Sequence, residues 1–285
     1  MKTTEEMVQL NREQAKFYDS IQTAEAEEGH GGYAENESAN ALTRFWAGLR
    51  YRQQDAVKQA GVEAAMKSAH ARWVDSKKGG DFLELGCFSG SPSTFQLSEV
   101  SGTYLGVELS PLAVEALNRK FAERSLSHKA QAKALDFLTM NEDQKFDLIY
   151  AHGVLHHFEN PEPLFQKLAA LCKPGGALLF VDPSAVNPLY RLIRSVYRPF
   201  QSDAAWEWPF RPLTVAALER YFEPQDGFGW GRWSLPLSVM TGLPLIGSWV
   251  ARRYIKTAKG EVDAGWHKRV WHNSMVTALY RVRAR

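Results

Sequence analysis

The spacing of hydrophobic residues changes near residue 79. Before it, apolar residues recur three or four positions apart, as at Leu42, Phe45 and Leu49, which predicts two or three helices between Thr3 and Lys77. After it, short apolar runs alternate with longer amphipathic segments. This second pattern is typical of βαβ units in a parallel sheet.

Five apolar runs are predicted as strands of one sheet. They are Phe82 to Leu85, Tyr104 to Val107, Ala130 to Leu135, Phe146 to Tyr150 and Ala177 to Val181. Helices are predicted between them at Ser91 to Glu99, Pro111 to Arg124 and Pro163 to Cys172. Ser274 to Val282 alternates as a final strand, with Phe228 to Trp233 as its candidate partner. The pattern predicts an α/β fold with a doubly wound, mostly parallel sheet of seven strands.

Three regions follow from this pattern. Residues 1–78 are predicted to form a helical N-terminal cap, residues 79–186 the ligand-binding core, and residues 187–285 a substrate-covering insertion with the last strands. Gly29 to Gly32 is either a hinge in the cap or an ordinary loop between helices. Asn187 to Phe210 mixes aromatic and charged residues and is a candidate lid.

Charge and cysteine content narrow the function classes. The 34 basic and 32 acidic residues give a net charge of +2, which is too balanced to indicate a nucleic-acid partner. The two cysteines, Cys87 and Cys172, fit neither a disulfide framework nor a zinc site, which favours a reducing compartment. No basic segment leads into an apolar run at the N-terminus, so a cytoplasmic protein is expected.

One apolar stretch, Leu235 to Val250, is too short to span a bilayer, and Pro236 interrupts it. Basic residues follow it, so residues 235–256 are a candidate for contact with a membrane surface or a lipid-like substrate. The alternative is that the stretch packs onto its own domain. We favour packing, because exposed apolar segments are rare in soluble monomers.

Chemically distinctive residues follow successive strands. Glu84 to Gly90 follows the first strand with two glycines, Glu108 ends the second, and Asp136-Phe137 ends the third. Ligands of such sheets bind at the carboxyl ends of the strands, where a carboxylate can hold ribose hydroxyls. The same residues also fit a tight turn, a solvated strand end and a helix cap, so their joint arrangement carries the prediction.

The fourth strand and its sequel, FDLIYAHGVLHHF at residues 146–158, together with the turn Lys173-Pro174-Gly175-Gly176, resemble the class I S-adenosylmethionine-dependent methyltransferases. The resemblance is to the small-molecule group and spans about residues 79–183. It implies a Rossmann-like fold and a cofactor, S-adenosylmethionine, that leaves as S-adenosylhomocysteine. The family usually has glycine where this chain has Phe88.

The resemblance also implies roles for individual residues. Glu84, Gly86 and Gly90 would shape the methionine pocket, Glu108 would hold the ribose, and Asp136 with Phe137 would hold the adenine. Further cofactor contacts are expected at Cys87, Leu109 and Ala151. No metal is expected.

The predicted function is methyl transfer to a hydroxyl of an apolar, aromatic or lipid-like small molecule. His152, His156 and His157 are candidates for the general base, because imidazole accepts protons near neutral pH. Transfer to nitrogen or carbon stays open, as does a non-catalytic cofactor-binding scaffold. An RNA methyltransferase is the weaker alternative, because the fourth strand lacks the Asn/Asp-Pro-Pro-Tyr run that enzymes methylating base amino groups commonly carry.

Overall fold

The computed structural model describes residues 4–28, 56–198, 206–241 and 246–284. The strands are β1 (Asp81–Leu85), β2 (Thr103–Glu108), β3 (Ala130–Ala134), β4 (Phe146–His152), β5 (Cys172–Pro183), β6 (Phe222–Trp230) and β7 (Met275–Val282). The helices are α1 (Thr4–Glu28), α2 (Val62–Asp75), α3 (Pro92–Val100), α4 (Pro111–Glu123), α5 (Pro161–Leu171), α6 (Pro188–Tyr197), α7 (Pro212–Tyr221), α8 (Ser234–Met240) and α9 (Gly247–Asp263).

The seven strands form one sheet in the order β3-β2-β1-β4-β5-β7-β6. Strands β1 to β5 run parallel to one another. β7 runs antiparallel to both of its neighbours, β5 and β6. The predicted doubly wound, mostly parallel sheet is therefore confirmed. The order reverses between β1 and β4, which is where such sheets bind ligands.

Apolar side chains cover both faces of this sheet. One face is buried under α5 and α7, with Phe146, Phe180 and Phe210 fully enclosed. The other face is buried under α2, α3 and α4, with Phe82 and Phe121 enclosed. Burial on both faces explains why the central strands read as continuous apolar runs.

The last two strands differ in detail from the prediction. β7 pairs with a partner that spans Phe222–Trp230, whereas the sequence pointed to Phe228 to Trp233. The strand ends at Trp230 because Gly231 turns the chain with a φ of 86° and α8 begins at Ser234. Its polar first half was missed because β6 is an edge strand with one neighbour, so these residues reach solvent.

Smaller differences concern helix and strand ends. α5 begins at Pro161, before the predicted Pro163, because the Asn160 side chain accepts a hydrogen bond from the Glu162 N–H and caps the helix. β5 begins at Cys172, before the predicted Ala177, and so includes the Lys-Pro-Gly-Gly segment.

The N-terminal region is helical in the residues that the structure describes, which are α1, residues 56–60 and α2. The candidate hinge at Gly29 to Gly32 and the apolar positions at Leu42, Phe45 and Leu49 lie outside the described residues.

The apolar segment after β6 forms α8 and α9, with residues 242–245 outside the described residues. Tyr254 and Ala258 on α9 are buried in a small cluster with Ala60 and Val62, and Leu237 on α8 packs against this cluster. One side of the two helices therefore packs on its own domain, while Met240, Ile246 and Trp249 are exposed. In the described part of the chain, we found no helix with the length and apolar character needed to cross a bilayer.

The carboxyl ends of strands β5 and β6 lie at the same edge of the sheet. Met275, the first residue of β7, pairs with Pro183 at the end of β5 on one side and with Trp230 at the end of β6 on the other. The carboxyl end of β6 therefore lies at the same edge as the carboxyl ends of β1 to β5. This edge carries the site described next.

Candidate functional site

A cavity of about 390 Å³ opens at the carboxyl ends of β1 to β4. Its walls come from the loop after β1, the ends of β2 and β3, the turn after β4, and one side of α1. The lining residues are Asn11, Gln14, Tyr18, Ile21, Leu85, Gly86, Phe88, Val107, Glu108, Leu109, Leu135, Asp136, Phe137, Leu138, His152, Gly153, Val154, His157 and Phe158. A pocket of this size, mostly apolar with a few convergent polar groups, is suited to a small organic ligand.

The loop after β1 depends on two unusual backbone conformations. Gly86 has a φ of 66°, and a Cβ at this position would lie 2.4 Å from Val154 Cγ2. Phe88 has a φ of 44°, a left-handed conformation that side chains rarely adopt. Phe88 therefore takes the backbone shape of a glycine, while its ring adds to the cavity wall and contacts the Tyr18 ring, with 6.2 Å between the ring centroids.

Glu108 at the end of β2 is fixed by backbone donors. Its Oε1 accepts hydrogen bonds from the N–H groups of Leu109 at 2.7 Å and Ser110 at 3.1 Å, and its Oε2 accepts one from Phe88 at 3.1 Å. Burial raises the pKa of this carboxyl, against the lowering effect of the three N–H donors. The carboxylate thus joins the loop after β1 to the turn after β2.

Asp136 follows β3 and holds two groups. Its Oδ1 accepts the Leu138 N–H at 2.9 Å, and its Oδ2 accepts the side-chain amide of Asn11 at 2.6 Å. Phe137 is buried beside it and meets Phe158 edge to face, with 6.1 Å between the ring centroids. An acceptor and an aromatic surface therefore lie side by side in the cavity wall.

Helix α1 covers the cavity. The Ser110 hydroxyl donates to Asp19 Oδ1, which with the bond from Asn11 to Asp136 ties the helix to the sheet edge. Gln14 is buried at the cavity wall, and its Nε2 has no hydrogen-bond partner. An unpaired buried amide is costly unless a ligand or water supplies the acceptor.

Two of the three predicted histidines line the cavity. His152 stands in the cavity, open to solvent on one side, with its Nδ1 3.3 Å from the Tyr150 hydroxyl. Enclosure by protein lowers the pKa of His152, while Asp182 acts in the opposite direction. His157 Nδ1–H donates a hydrogen bond of 2.8 Å to the Trp206 carbonyl oxygen.

His156, the third predicted histidine, points away from the cavity. Its Nδ1 lies 2.6 Å from Asp182 Oδ1, and its Nε2 lies 3.7 Å from Glu207 Oε1, which itself belongs to a carboxylate paired with Arg194. His156 and both carboxylates are buried. The cluster joins the turn after β4 to the end of β5, to residues 206–210 and to α6.

Another histidine, His70, lies near His152 but was not predicted as a site residue. His70 on α2 places its Nε2 2.7 Å from the Thr277 hydroxyl, and its ring meets the Tyr150 ring edge to face. Burial lowers the pKa of His70 to about 4. No sequence signal marked this histidine, because it lies 82 positions before His152 in the chain (152 − 70) and reaches the sheet only through packing.

Residues 83–178 match the family model described as a methyltransferase domain. These residues of the chain are therefore similar to a methyltransferase domain. The resemblance stated from residues 146–158 and the Lys-Pro-Gly-Gly turn is thereby confirmed, and the matched region contains the cavity-lining residues from Leu85 to Phe158.

Two curated relatives are similar to part of this chain. A tocopherol O-methyltransferase of Arabidopsis thaliana is 30% identical over 108 residues, which cover 38% of this chain and 31% of the relative. A ubiquinone biosynthesis O-methyltransferase of Coxiella burnetii is 30% identical over 122 residues, which cover 42% of this chain and 51% of the relative. The chain thus matches about a third of the length of the first relative and about half of the length of the second.

The fold of the methyltransferase domain and its flanking helices recurs in solved structures. The [4+2]-cyclase SpnF aligns over 95% of this chain and 96% of its own, with a TM-score of 0.53 and 16% sequence identity. At this identity the likeness concerns the fold alone. A shared fold leaves the chemistry to the residues of the site.

Four residues expected at the cofactor lie behind the cavity wall of the methyltransferase domain. Glu84 is buried and accepts hydrogen bonds from the Tyr104 hydroxyl at 2.7 Å and the Thr94 hydroxyl at 3.0 Å, and burial raises its pKa to about 7. Cys87 is buried against Gly106, and Ala151 lies within the sheet. Gly90 lies against Leu117, 2.7 Å from where its Cβ would be. From these positions behind the cavity wall, the four residues can stabilise the loop after β1.

The residues of α1 that line the cavity were not predicted from the sequence. Asn11, Gln14, Tyr18 and Ile21 lie three or four positions apart, so they form one side of a helix. That spacing was the available signal. Because it also fits an ordinary packed helix, the sequence does not identify α1 as the cavity cover.

Among the described residues, no group of three or more His, Cys, Asp or Glu side chains is arranged to hold a metal ion.

Proposed function

We propose that this protein transfers a methyl group from S-adenosylmethionine to a hydroxyl of an apolar small molecule and releases S-adenosylhomocysteine. The observation that carries the proposal is the placement of Glu108 and the Asp136-Phe137 pair around one cavity with the Gly86 loop. These residues follow β2, β3 and β1, so the sheet itself sets their spacing.

The cavity walls fit the three parts of this cofactor. Glu108 offers carboxylate oxygens to the ribose hydroxyls, and Asp136 with Phe137 offers an acceptor and an apolar ring to the adenine. The Gly86 backbone lets the methionine part approach closely. The unpaired Gln14 amide supplies a donor that a carboxylate or ring nitrogen of the cofactor would satisfy.

The bound cofactor supplies an electrophilic methyl group, so the protein needs to align the acceptor and manage its proton. His157 and His152 are the two histidines proposed to accept the proton of the acceptor hydroxyl. The Trp206 carbonyl accepts a hydrogen bond from the Nδ1–H of His157, so in the neutral ring Nε2 carries the basic lone pair. Enclosure by the surrounding protein lowers the pKa of His152, which favours its neutral, proton-accepting form.

His156 has a different role in this proposal. It is held between Asp182 and Glu207 and lies outside the cavity lining, so it serves as a positioning residue. Its ring lies against the His157 ring, with 4.2 Å between the centroids. His156 therefore fixes the orientation of the histidine that faces the acceptor.

Oxygen is the proposed acceptor atom. The two curated relatives are both O-methyltransferases, and a neutral histidine suits a hydroxyl whose proton must leave. Transfer to nitrogen or carbon is the second candidate. The covered cavity and its mostly apolar lining support a small acceptor over RNA.

Calorimetry with S-adenosylmethionine and S-adenosylhomocysteine tests the proposal, followed by incubation with deuteromethyl-labelled cofactor and a panel of phenols, quinols, amines and sterols. Mass spectrometry then identifies the acceptor atom. Absence of cofactor binding sinks the proposal. Tight cofactor binding without label transfer to any acceptor class would favour the non-catalytic scaffold.

A further inference from the structure

Helix α6 turns its apolar side outward. Leu189, Leu192, Ile193 and Val196 recur at the spacing of one helical stripe, and 50%, 63%, 39% and 68% of their respective surfaces are exposed. Helices on globular proteins normally turn such a stripe toward the core. The exposed stripe on α6 is therefore a surface for contact with an apolar partner.

A second exposed apolar patch lies on α8 and α9. Trp233, Met240, Ile246 and Trp249 are 60%, 39%, 42% and 55% exposed, respectively. Two guanidinium groups lie over the tryptophan rings, Arg232 at 5.3 Å from Trp233 and Arg253 at 5.4 Å from Trp249. Each tryptophan thus presents an apolar ring beside a positive charge.

The start of α8 is held rigidly. Glu261 on α9 accepts hydrogen bonds from the N–H groups of Gly231 at 2.8 Å, Trp233 at 2.6 Å and Ser234 at 3.1 Å. A carboxylate at a helix N-terminus satisfies donors that otherwise lack partners. The Trp233 backbone is therefore fixed while its ring remains exposed.

Both patches flank the edge of the sheet that carries the cavity. α6 follows the end of β5, and α8 follows the end of β6. Met275 pairs with the last residue of both strands, which places the two ends at one edge. We name the eight exposed side chains the edge surface: Leu189, Leu192, Ile193, Val196, Trp233, Met240, Ile246 and Trp249.

The segments that carry the edge surface contain only basic charged residues, of which Arg194 is half-buried and paired with Glu207 while Arg252 and Arg253 are exposed. Residues 188–198 contain three arginines and residues 227–256 contain three arginines and one lysine, and neither stretch contains Asp or Glu. Pairing this surface with a second copy of the chain would bring like charges together. Anionic lipid headgroups would attract the same charges, at roughly 1 kcal/mol per basic residue near the surface.

We propose that the edge surface docks this protein onto an anionic lipid bilayer. The apolar side chains enter the boundary between headgroups and acyl chains, and the surrounding arginines contact the phosphates. The protein then lies on the membrane with the cavity edge facing it. That a lipid-like acceptor enters the cavity from this side rests on the function proposed above.

Vesicle co-sedimentation of the full chain, without cofactor, tests the docking. We expect binding to phosphatidylcholine vesicles that contain phosphatidylglycerol, weaker binding to phosphatidylcholine alone, and weakening as salt screens the charges. The double variant Leu192→Ser/Val196→Ser should weaken binding by about tenfold or more, because both side chains leave the acyl boundary. Arg252→Glu should weaken binding to the anionic vesicles only.

The matched control is Lys78→Glu, an exposed charge reversal in the turn before β1, at the opposite edge of the sheet. It should bind vesicles as the wild type does. Equal losses in Lys78→Glu and Arg252→Glu, or no binding by the wild type, overturn the docking. So does a dimer in sedimentation equilibrium that Leu192→Ser/Val196→Ser dissociates, since a second copy would then cover the surface.

Calorimetry with S-adenosylmethionine on the same proteins separates the two proposals. Vesicle binding without cofactor binding contradicts the proposed function and leaves the docking standing. Cofactor binding without vesicle binding does the reverse.

Discussion

His156 Nδ1 lies 2.6 Å from Asp182 Oδ1 in the protein interior. The same carboxylate accepts the backbone N–H groups of His156 at 3.1 Å and Leu155 at 3.4 Å. A single side chain at the end of β5 therefore holds both the backbone and the side chain of the turn after β4. This turn carries His157 into the cavity wall.

Replacing Asp182 should destabilise the fold. Asp182→Ala leaves two backbone donors and an imidazole without an acceptor in the interior, and we expect a loss of roughly 2–4 kcal/mol in the free energy of unfolding. Urea denaturation measures this loss. Asp143→Ala, at an exposed loop position, is the control and should change stability by less than about 0.5 kcal/mol. Equal stability of the two variants would contradict the role given to Asp182.

Glu108 should matter for cofactor affinity. Glu108→Ala removes the carboxylate proposed for the ribose hydroxyls, and we expect binding of S-adenosylhomocysteine to weaken by about 1–3 kcal/mol in calorimetry. Glu115→Ala, an exposed carboxylate on α4, should bind as the wild type does. An unchanged affinity in a folded Glu108→Ala protein rejects the assignment.

Phe88 carries a backbone strain that glycine would relieve. Phe88→Ala and Phe88→Gly both remove the ring, but alanine keeps the cost of the left-handed conformation at φ 44°. We expect Phe88→Gly to be more stable than Phe88→Ala by about 1 kcal/mol in urea denaturation. Phe88→Ala matching or exceeding Phe88→Gly would show that the loop relaxes to another conformation.

The contributions of two buried groups, Glu84 and His70, to the free energy of unfolding should change in opposite directions as the pH changes. The Glu84 pKa is raised to about 7, so its stabilising contribution is full below about 4.5 and is lost as the pH rises through 7. The His70 pKa is lowered to about 4, so its contribution is full above 6.5 and is lost as the pH falls toward 4. Between these limits the two slopes have opposite signs.

Variants should therefore change the pH dependence in opposite directions. Relative to the wild type, the stability of Glu84→Gln should rise with pH and that of His70→Gln should fall, each by about 1.4 kcal/mol per pH unit between pH 5 and 6.5. Urea denaturation at several pH values measures both slopes. Glu115→Gln is the control and should follow the wild type. Slopes of the same sign in the two variants would contradict the assignment.

If His152 accepts the proton of the acceptor, its protonation should cause kcat/KM to fall on the acidic side of the pH profile. Burial lowers its pKa, so kcat/KM should fall only below about pH 6.5. His152→Gln should lower kcat by about 10²-fold or more and remove this limb. His128→Gln, an exposed histidine, is the control. A limb that persists in His152→Gln would transfer the role to His157.

The strands of the sheet could be predicted because β1, β2, β4 and β5 are buried on both faces and so form unbroken apolar runs. Glu108, Asp136 and Gly86 could be placed at the cavity because each directly follows a strand. His156 could not be separated from His157 by sequence, since only the fold brings Asp182 and Glu207 to it. Asn11 was missed for a similar reason: its contact with Asp136, just after β3, spans 125 residues of the chain.

The cover formed by α1 has a consequence for turnover. Asn11 occupies an oxygen of Asp136, the residue proposed to bind adenine, and Asp19 holds the helix to Ser110 at the end of β2. If the cavity binds the proposed cofactor, exchange of spent for fresh cofactor would involve opening and re-forming these contacts in each cycle. The pace of the enzyme would then depend on the mobility of one N-terminal helix, and shortening that helix would speed release while weakening retention of the methyl donor.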